Sequence, residues 1–193
     1  MHDTELAETE LGDTLLGLAR AAIAHHLGRG PQPVVPDEGR LRERGATFVT
    51  LTEDGELRGC IGSLRRGRAL AEDVIANAVA AASADPRFEP LQAGELDKVR
   101  VEVSLLSEPE YLEFADEDAL LAQLRPNEDG LIVFSGCRSA TFLPQVWEQL
   151  PVPRDFLAAL KRKAGLAPDR PVPGLMAARY QVRKWKEAEA EAS

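Results

Sequence analysis

Residues 47–63, TFVTLTEDGELRGCIGS, decide the architecture of this chain. Residues 47–52 combine β-branched and aromatic side chains, which fit a pleated strand. Glu53-Asp54-Gly55-Glu56 supplies a hairpin turn, because an Asp-Gly pair tolerates the positive φ that a tight turn requires. Residues 57–63 then return as the antiparallel partner. Gly59 and Gly62 are unusual in such a strand and mark a bulge or a close approach of backbone. Glycine also permits successive N–H groups to point inward as an anion-binding nest. Arg58 before this stretch, and Arg65, Arg66 and Arg68 after it, place positive charge beside those N–H groups. One reading is therefore a ligand site in which the N–H groups of Gly59, Cys60, Ile61, Gly62 and Ser63 cradle an anion. The other is a hairpin whose glycines admit a packed helix. The segment lacks the Gly-Lys-Ser/Thr ending of a nucleotide-binding P-loop.

Outward from the hairpin, residues 11–27 carry Leu11, Leu15, Leu18, Ala19, Ala22, Ile23 and Leu27 at helical spacing, with Gly28 as the stop. Residues 28–39 contain Pro31, Pro33 and Pro36 and form a turn-rich connector. Residues 69–84 place Leu70, Val74, Ile75, Ala78, Ala81 and Ala82 on one helical face, and their alanines allow close approach to a sheet. Asp85-Pro86 ends that helix. Val99, Val101, Val103 and Leu105 alternate with polar residues as a long strand. A second unit begins near residues 107–109. It is expected to hold a short helix at 117–124, a strand at 131–134, a turn at 135–139 and a strand at 140–143. Helical segments follow at 144–150 and 153–164, with Gly165 as the stop. Residues 178–185 read as one final strand, and 186–193 as a charged tail. The fold class is α+β: two subdomains, each a small antiparallel sheet flanked by helices. The larger is expected to span 1–107 plus 176–193 and to hold both termini, with 108–175 as the smaller insertion.

With 193 residues, 44% hydrophobic and 28% charged, the chain can bury an ordinary globular core. A net charge of −9 disfavours a broad grip on nucleic acid, which needs dense Lys and Arg. No apolar stretch approaches the ~20 residues of a membrane span. Two cysteines, Cys60 and Cys137, fit a reducing compartment, and the expected location is the cytoplasm.

Cys60 is the one nucleophile with a suggestive setting, since nearby arginines favour a thiolate. Against this, its apolar strand setting reads as an inert core thiol. Cys137 reads as a small packed residue. His2, His25 and His26 all fall in the first 26 residues, and His25 and His26 are read as a surface residue and a partly buried one. No zinc- or calcium-binding spacing occurs, and no metal or cofactor is expected. Asp116–Asp118 and Glu187–Glu191 read as solvated faces. In the stretch 85–90, DPRFEP, Arg87 is placed to clamp a carboxylate or phosphate. Alternatively, it forms a local ion pair with Asp85 that fixes the turn.

LRGCIGS at 57–63, ANAVAAASADPRFEP at 76–90 and VEVSLL at 101–106 together resemble the AMMECR-type domain, protein A of the so-called AmmeMemoRadiSam system. The likeness continues through ATFLPQV at 140–146 and FLAALKRKAGL at 156–166, and covers about residues 11–185. It implies a cleft near LRGCIG as the functional site, with Arg58, Gly59, Cys60, Ile61, Gly62, Asp85 and Arg87 as its residues. It also implies work beside Memo-type and radical SAM proteins in a modification pathway. The chain lacks the cysteine set of an iron–sulfur cluster, so it is not the radical enzyme itself. Many relatives carry cysteine where Lys161 stands, and any role needing that thiol is missing here. Two hypotheses follow: a non-catalytic module binding a small anionic ligand or a partner, or an enzyme using Cys60 or the arginines on a small anionic substrate.

Overall fold

The computed structural model describes residues 2–188, with side chains from residue 7 onward. The elements in chain order are α1 (His2–His26), α2 (Gly39–Arg42), β1 (Arg44–Gly45), β2 (Thr47–Glu53), β3 (Glu56–Gly62), β4 (Arg68–Ala69) and α3 (Leu70–Ser83). They continue with β5 (Val99–Leu106), β6 (Glu110–Leu112), α4 (Glu117–Gln123), β7 (Gly130–Ser135), β8 (Arg138–Phe142), α5 (Pro153–Lys163), β9 (Met176–Tyr180) and β10 (Val182–Lys186). Short 3₁₀ turns occupy Ala93–Glu95 and Pro144–Glu148. The chain divides into two compact units, one running to Leu106 and resuming at Arg183, the other Ser107–Val182.

The first unit is an antiparallel sheet in the order β10-β5-β2-β3. Period-2 alternation sends Val49, Leu51, Val99, Val101 and Val103 to one face, where all are fully buried. Leu15, Leu18, Ala19 and Ile23 of α1 and Val74, Ala78 and Ala81 of α3 complete that core. The β2–β3 turn has positive φ at Asp54 (50°) and Gly55 (82°), as a primed two-residue hairpin requires. The ladder pairs Leu51 with Gly59 and Thr52 with Leu57, leaving Arg58 as the extra residue of a bulge. The helix expected at 11–27 extends back to His2.

The second unit is an antiparallel sheet in the order β6-β9-β7-β8. Trp147 and Phe156 stack at 3.7 Å in its core, with Phe142 edge-on to Phe156 at 5.4 Å. The Trp147 indole donates to the carbonyl of Asp129 at 2.7 Å, which satisfies its buried polar atom.

Three expectations need correction. The single strand read at 178–185 is two strands, because the chain leaves one sheet at Tyr180 and enters the other at Val182. Gln181 between them exchanges hydrogen bonds with Ser107, through its carbonyl (2.8 Å) and its N–H (2.8 Å). No glycine or proline marks that break. The β7–β8 turn is also tighter than 135–139, with Gly136 at φ 60° and the strand resuming at Arg138. Finally, Glu187 is not a solvated side chain: it accepts from Arg20 Nε (2.9 Å) and from the N–H of Val101 (2.9 Å). Glu191 and the end of the expected tail lie outside the described residues.

Candidate functional site

β3 is the edge strand of the first sheet, so one side of its backbone lacks a neighbouring strand. Gly59 and Ile61 stand opposite Leu51 and Val49 and face the core, while Cys60 stands opposite Thr50 on the other face. The side chain of any residue larger than glycine at 59 would run into α3, because a Cβ there lies 2.2 Å from the carbonyl oxygen of Ala81. At Gly62 a Cβ would meet the Phe48 ring at 2.2 Å. The close approach expected of these glycines is therefore present. The nest is not: no residue of 57–63 has positive φ, and the segment is extended strand. The Ser63 N–H goes to the Thr47 carbonyl (2.9 Å), and the Cys60 N–H goes to Asp85.

Asp85 and Arg87 latch the open edge of β3. Asp85 Oδ2 accepts the Cys60 N–H at 2.9 Å, and Arg87 Nη2 donates to the Cys60 carbonyl at 3.5 Å. Asp85 Oδ1 accepts the backbone N–H and Nε of Arg87, each at 3.0 Å, while Oδ2 accepts Nη2 at 2.8 Å. Two side chains thus take the place of a neighbouring strand. The α3 helix stops before Pro86, and that stop sets the latch beside β3. The Asp85 side chain is 2% exposed and the Arg87 side chain 56%. The Arg87 hydrogen bonds hold the Asp85 carboxyl far below the usual carboxylate range, outweighing its burial, with the Cys60 N–H adding to the effect. Arg87 is raised in turn by Asp85, with a smaller contribution from the Cys60 side chain. Its guanidinium lies 5.5 Å from the Phe88 ring centroid. Among the described residues, Nη1 of Arg87 has no hydrogen-bond partner. The guanidinium is held flat by one edge, with Nη1 unengaged.

The other arginines are engaged differently. Arg58 grips both carboxylate oxygens of Glu95 (2.9 and 3.2 Å), and its Nη1 donates to the Glu89 carbonyl (3.0 Å). All three guanidinium nitrogens are occupied, and the side chain is 16% exposed. Arg58 lowers the Glu95 carboxyl below its ordinary value. Glu95 was missed in the sequence, although its reach back to the Gln92 N–H (2.7 Å) forms a capping box that the Gln-x-x-Glu spacing could have signalled. Arg66 donates to the Arg44 carbonyl, and Arg68 pairs with Asp73 (2.9 Å).

Asp73 and Asn77 were also missed. They sit one turn apart on α3, where their helical spacing gives no hint of chemistry. Asp73 Oδ2 accepts the Thr47 N–H (2.8 Å), the Thr47 hydroxyl (2.8 Å) and the Asn77 amide (3.0 Å). That amide also reaches Ser63 Oγ at 3.1 Å, as does Arg68 Nη2. Ser63 thus belongs to a satisfied polar network that ties the end of β3 to α3.

Cys60 is half-buried rather than sealed in the core, and its sulfur accepts the Thr50 hydroxyl at 3.3 Å. Cys137, expected to be packed, is exposed at the β7–β8 turn. His25 and His26 are both exposed at the end of α1, and the expectation of a partly buried one is not met. Among the described residues no three His, Cys, Asp or Glu side chains converge as a metal site, and no helix is long and apolar enough to cross a membrane.

The family model AMMECR1 matches residues 16–185. A protein of Methanothermobacter thermautotrophicus is 40% identical over 165 residues, covering 82% of this chain and 84% of the relative. Protein MK0488 of Methanopyrus kandleri is 38% identical, covering 83% of this chain and 80% of the relative. The crystal structure of the uncharacterized protein PH0010 from Pyrococcus horikoshii superposes with a TM-score of 0.81 at 35% identity, covering 92% of both chains.

Proposed function

The chain belongs to the AMMECR1 family, and we propose that it is a binding module that receives an anionic group on Arg87, at the latched edge of β3. The observation that carries this reading is the state of that guanidinium. It is half-exposed and fixed in plane by a buried carboxylate, and it keeps Nη1 unengaged. A preoriented planar donor loses little rotational freedom on binding, which favours carboxylate or phosphate ligands. In this reading Arg87 makes the contact, Asp85 is its positioning residue, and Arg58 is fully engaged by Glu95 and the Glu89 carbonyl. Gly59 and Gly62 let β3 lie close to α3 and Phe48, Ile61 packs against the core, and Ser63 anchors the strand's end. The ligand is a small anion or an acidic group of a partner. The Memo-type and radical SAM proteins implied by the resemblance are the partners we infer, in a cytoplasmic modification pathway.

A thermal-shift panel of carboxylates, phosphates, amines and neutral metabolites tests the proposal. The expected result is a saturable rise in the unfolding midpoint with one class of anion, lost in Arg87→Ala. A ligand at a hundred times its Kd adds about 2.7 kcal/mol to stability, which such a scan resolves. A panel in which no anion effect depends on Arg87 would remove the proposal.

One observation favours a second reading, an enzyme acting through Cys60. The thiol is partly accessible, and the Arg87 guanidinium reaches the Cys60 carbonyl at 3.5 Å. Site-resolved alkylation of the native protein with iodoacetamide separates the two. The binding-module reading expects Cys60 to react more slowly than the exposed Cys137, which serves as an internal reference. Faster reaction at Cys60 would make the covalent enzyme the better reading.

A further inference from the structure

The second unit contains a cavity of about 720 Å³, within the roughly 300–1,000 Å³ typical of small-molecule sites. Its wall is apolar where Phe114, Leu121, Leu157 and Leu175 line it, and the proline-rich strap 168–175 closes one side. Lys161 of α5 fixes that strap. Its ammonium is 1% exposed and donates to both oxygens of Glu117 (2.9 Å each) and to the Arg170 carbonyl (2.8 Å). Glu117 in turn accepts the Val172 N–H at 3.2 Å. All three Lys161 N–H bonds are therefore engaged, and Arg154 at the rim is paired with Asp118 at 2.9 Å.

The charges left over decide what the cavity takes. Asp155, Asp169 and the Arg170 guanidinium line it without a hydrogen bond or ion pair among the described residues. Asp116 uses one oxygen on the Ala119 N–H (2.8 Å) and keeps the other. Three carboxylates thus face one unpaired cation. An entering anion finds Lys161 and Arg154 already neutralised. An entering cation finds free carboxylates among the lining residues, beside the apolar wall.

We propose that this cavity binds a small organic cation, an ammonium group carried on an apolar chain. The chain lies against Phe114, Leu121 and Leu157, and the ammonium is met by Asp155 and Asp169.

Calorimetric titration of the full chain with hexylamine tests this, with hexanoate and hexanol as controls of the same length. Saturable hexylamine binding is expected, with both controls weaker by about tenfold or more. The double variant Asp155→Asn, Asp169→Asn should lose roughly fivefold in affinity at an unchanged unfolding midpoint, since both side chains are exposed. Ala158→Phe, which fills the cavity from α5, should abolish the binding. Hexanoate binding as tightly as hexylamine would overturn the proposal. So would full affinity in either variant, or no saturable binding of hexylamine. None of these outcomes bears on Arg87, which is probed by its own substitution.

Discussion

Valine in place of Gly59 is expected to destabilise the protein by about 3 kcal/mol, at the upper end of what overpacking commonly does. The reason is the identity of the atom it meets. A Cβ at position 59 falls 2.2 Å from the Ala81 carbonyl oxygen, and a helix backbone has no rotamer by which to yield. Either α3 lifts from the sheet or β3 leaves its ladder. Both movements disturb Asp85, which follows the end of α3 by two residues. Gly62→Val meets the side chain of Phe48 instead, and partial rearrangement of that ring should hold the loss to roughly 1–2 kcal/mol. Urea denaturation midpoints measure both. Equal midpoints for wild type and Gly59→Val would contradict the close packing of β3 on α3.

Asp85→Asn should lower stability by roughly 1–3 kcal/mol near neutral pH, because it weakens a buried, charge-assisted set of hydrogen bonds. The pH dependence identifies the cause. In the native state Arg87 holds the Asp85 carboxyl far below its ordinary value, so the folded pKa is depressed. The stability linked to this group is fully present above the unfolded-state value of about 4, and is lost as pH falls toward the folded-state value. The gap between wild type and Asp85→Asn should therefore be widest at neutral pH and narrow below about pH 4. A gap that stays constant across the acid range would mean that Asp85 contributes through shape and not through charge.

Local patterns made much of the fold legible. Asp54-Gly55 announced the hairpin, the alternation from Val99 to Leu105 announced the central strand, and Asp85-Pro86 announced the end of α3. Glycines at 59 and 62 signalled a close approach, but their spacing fits a nest equally well. Only the backbone distinguishes the two, and it is extended with α3 against it. The division at Gln181 was hidden because apolar alternation continues through it without a break. Gln92-x-x-Glu95 signals a capped turn but not the pairing with Arg58, and Asp73 and Asn77 are ordinary residues until the fold brings Thr47 and Arg68 to them. Equal weight for Arg58 and Arg87 was the natural reading of a sequence that shows charge but not its neutralisation. Glu95 and the Glu89 carbonyl occupy one completely, and Asp85 leaves the other partly open.

That difference between two arginines separates a ligand contact from a structural ion pair. Arg87→Lys and Arg58→Lys are each titrated calorimetrically with the anion that most stabilises the wild type. Lysine keeps the charge but loses the planar fork. Arg87→Lys is expected to weaken binding by about tenfold or more, while Arg58→Lys stays within about twofold of wild type. Unchanged affinity in Arg87→Lys, or an equal loss in Arg58→Lys, would contradict the assignment of the contact to Arg87.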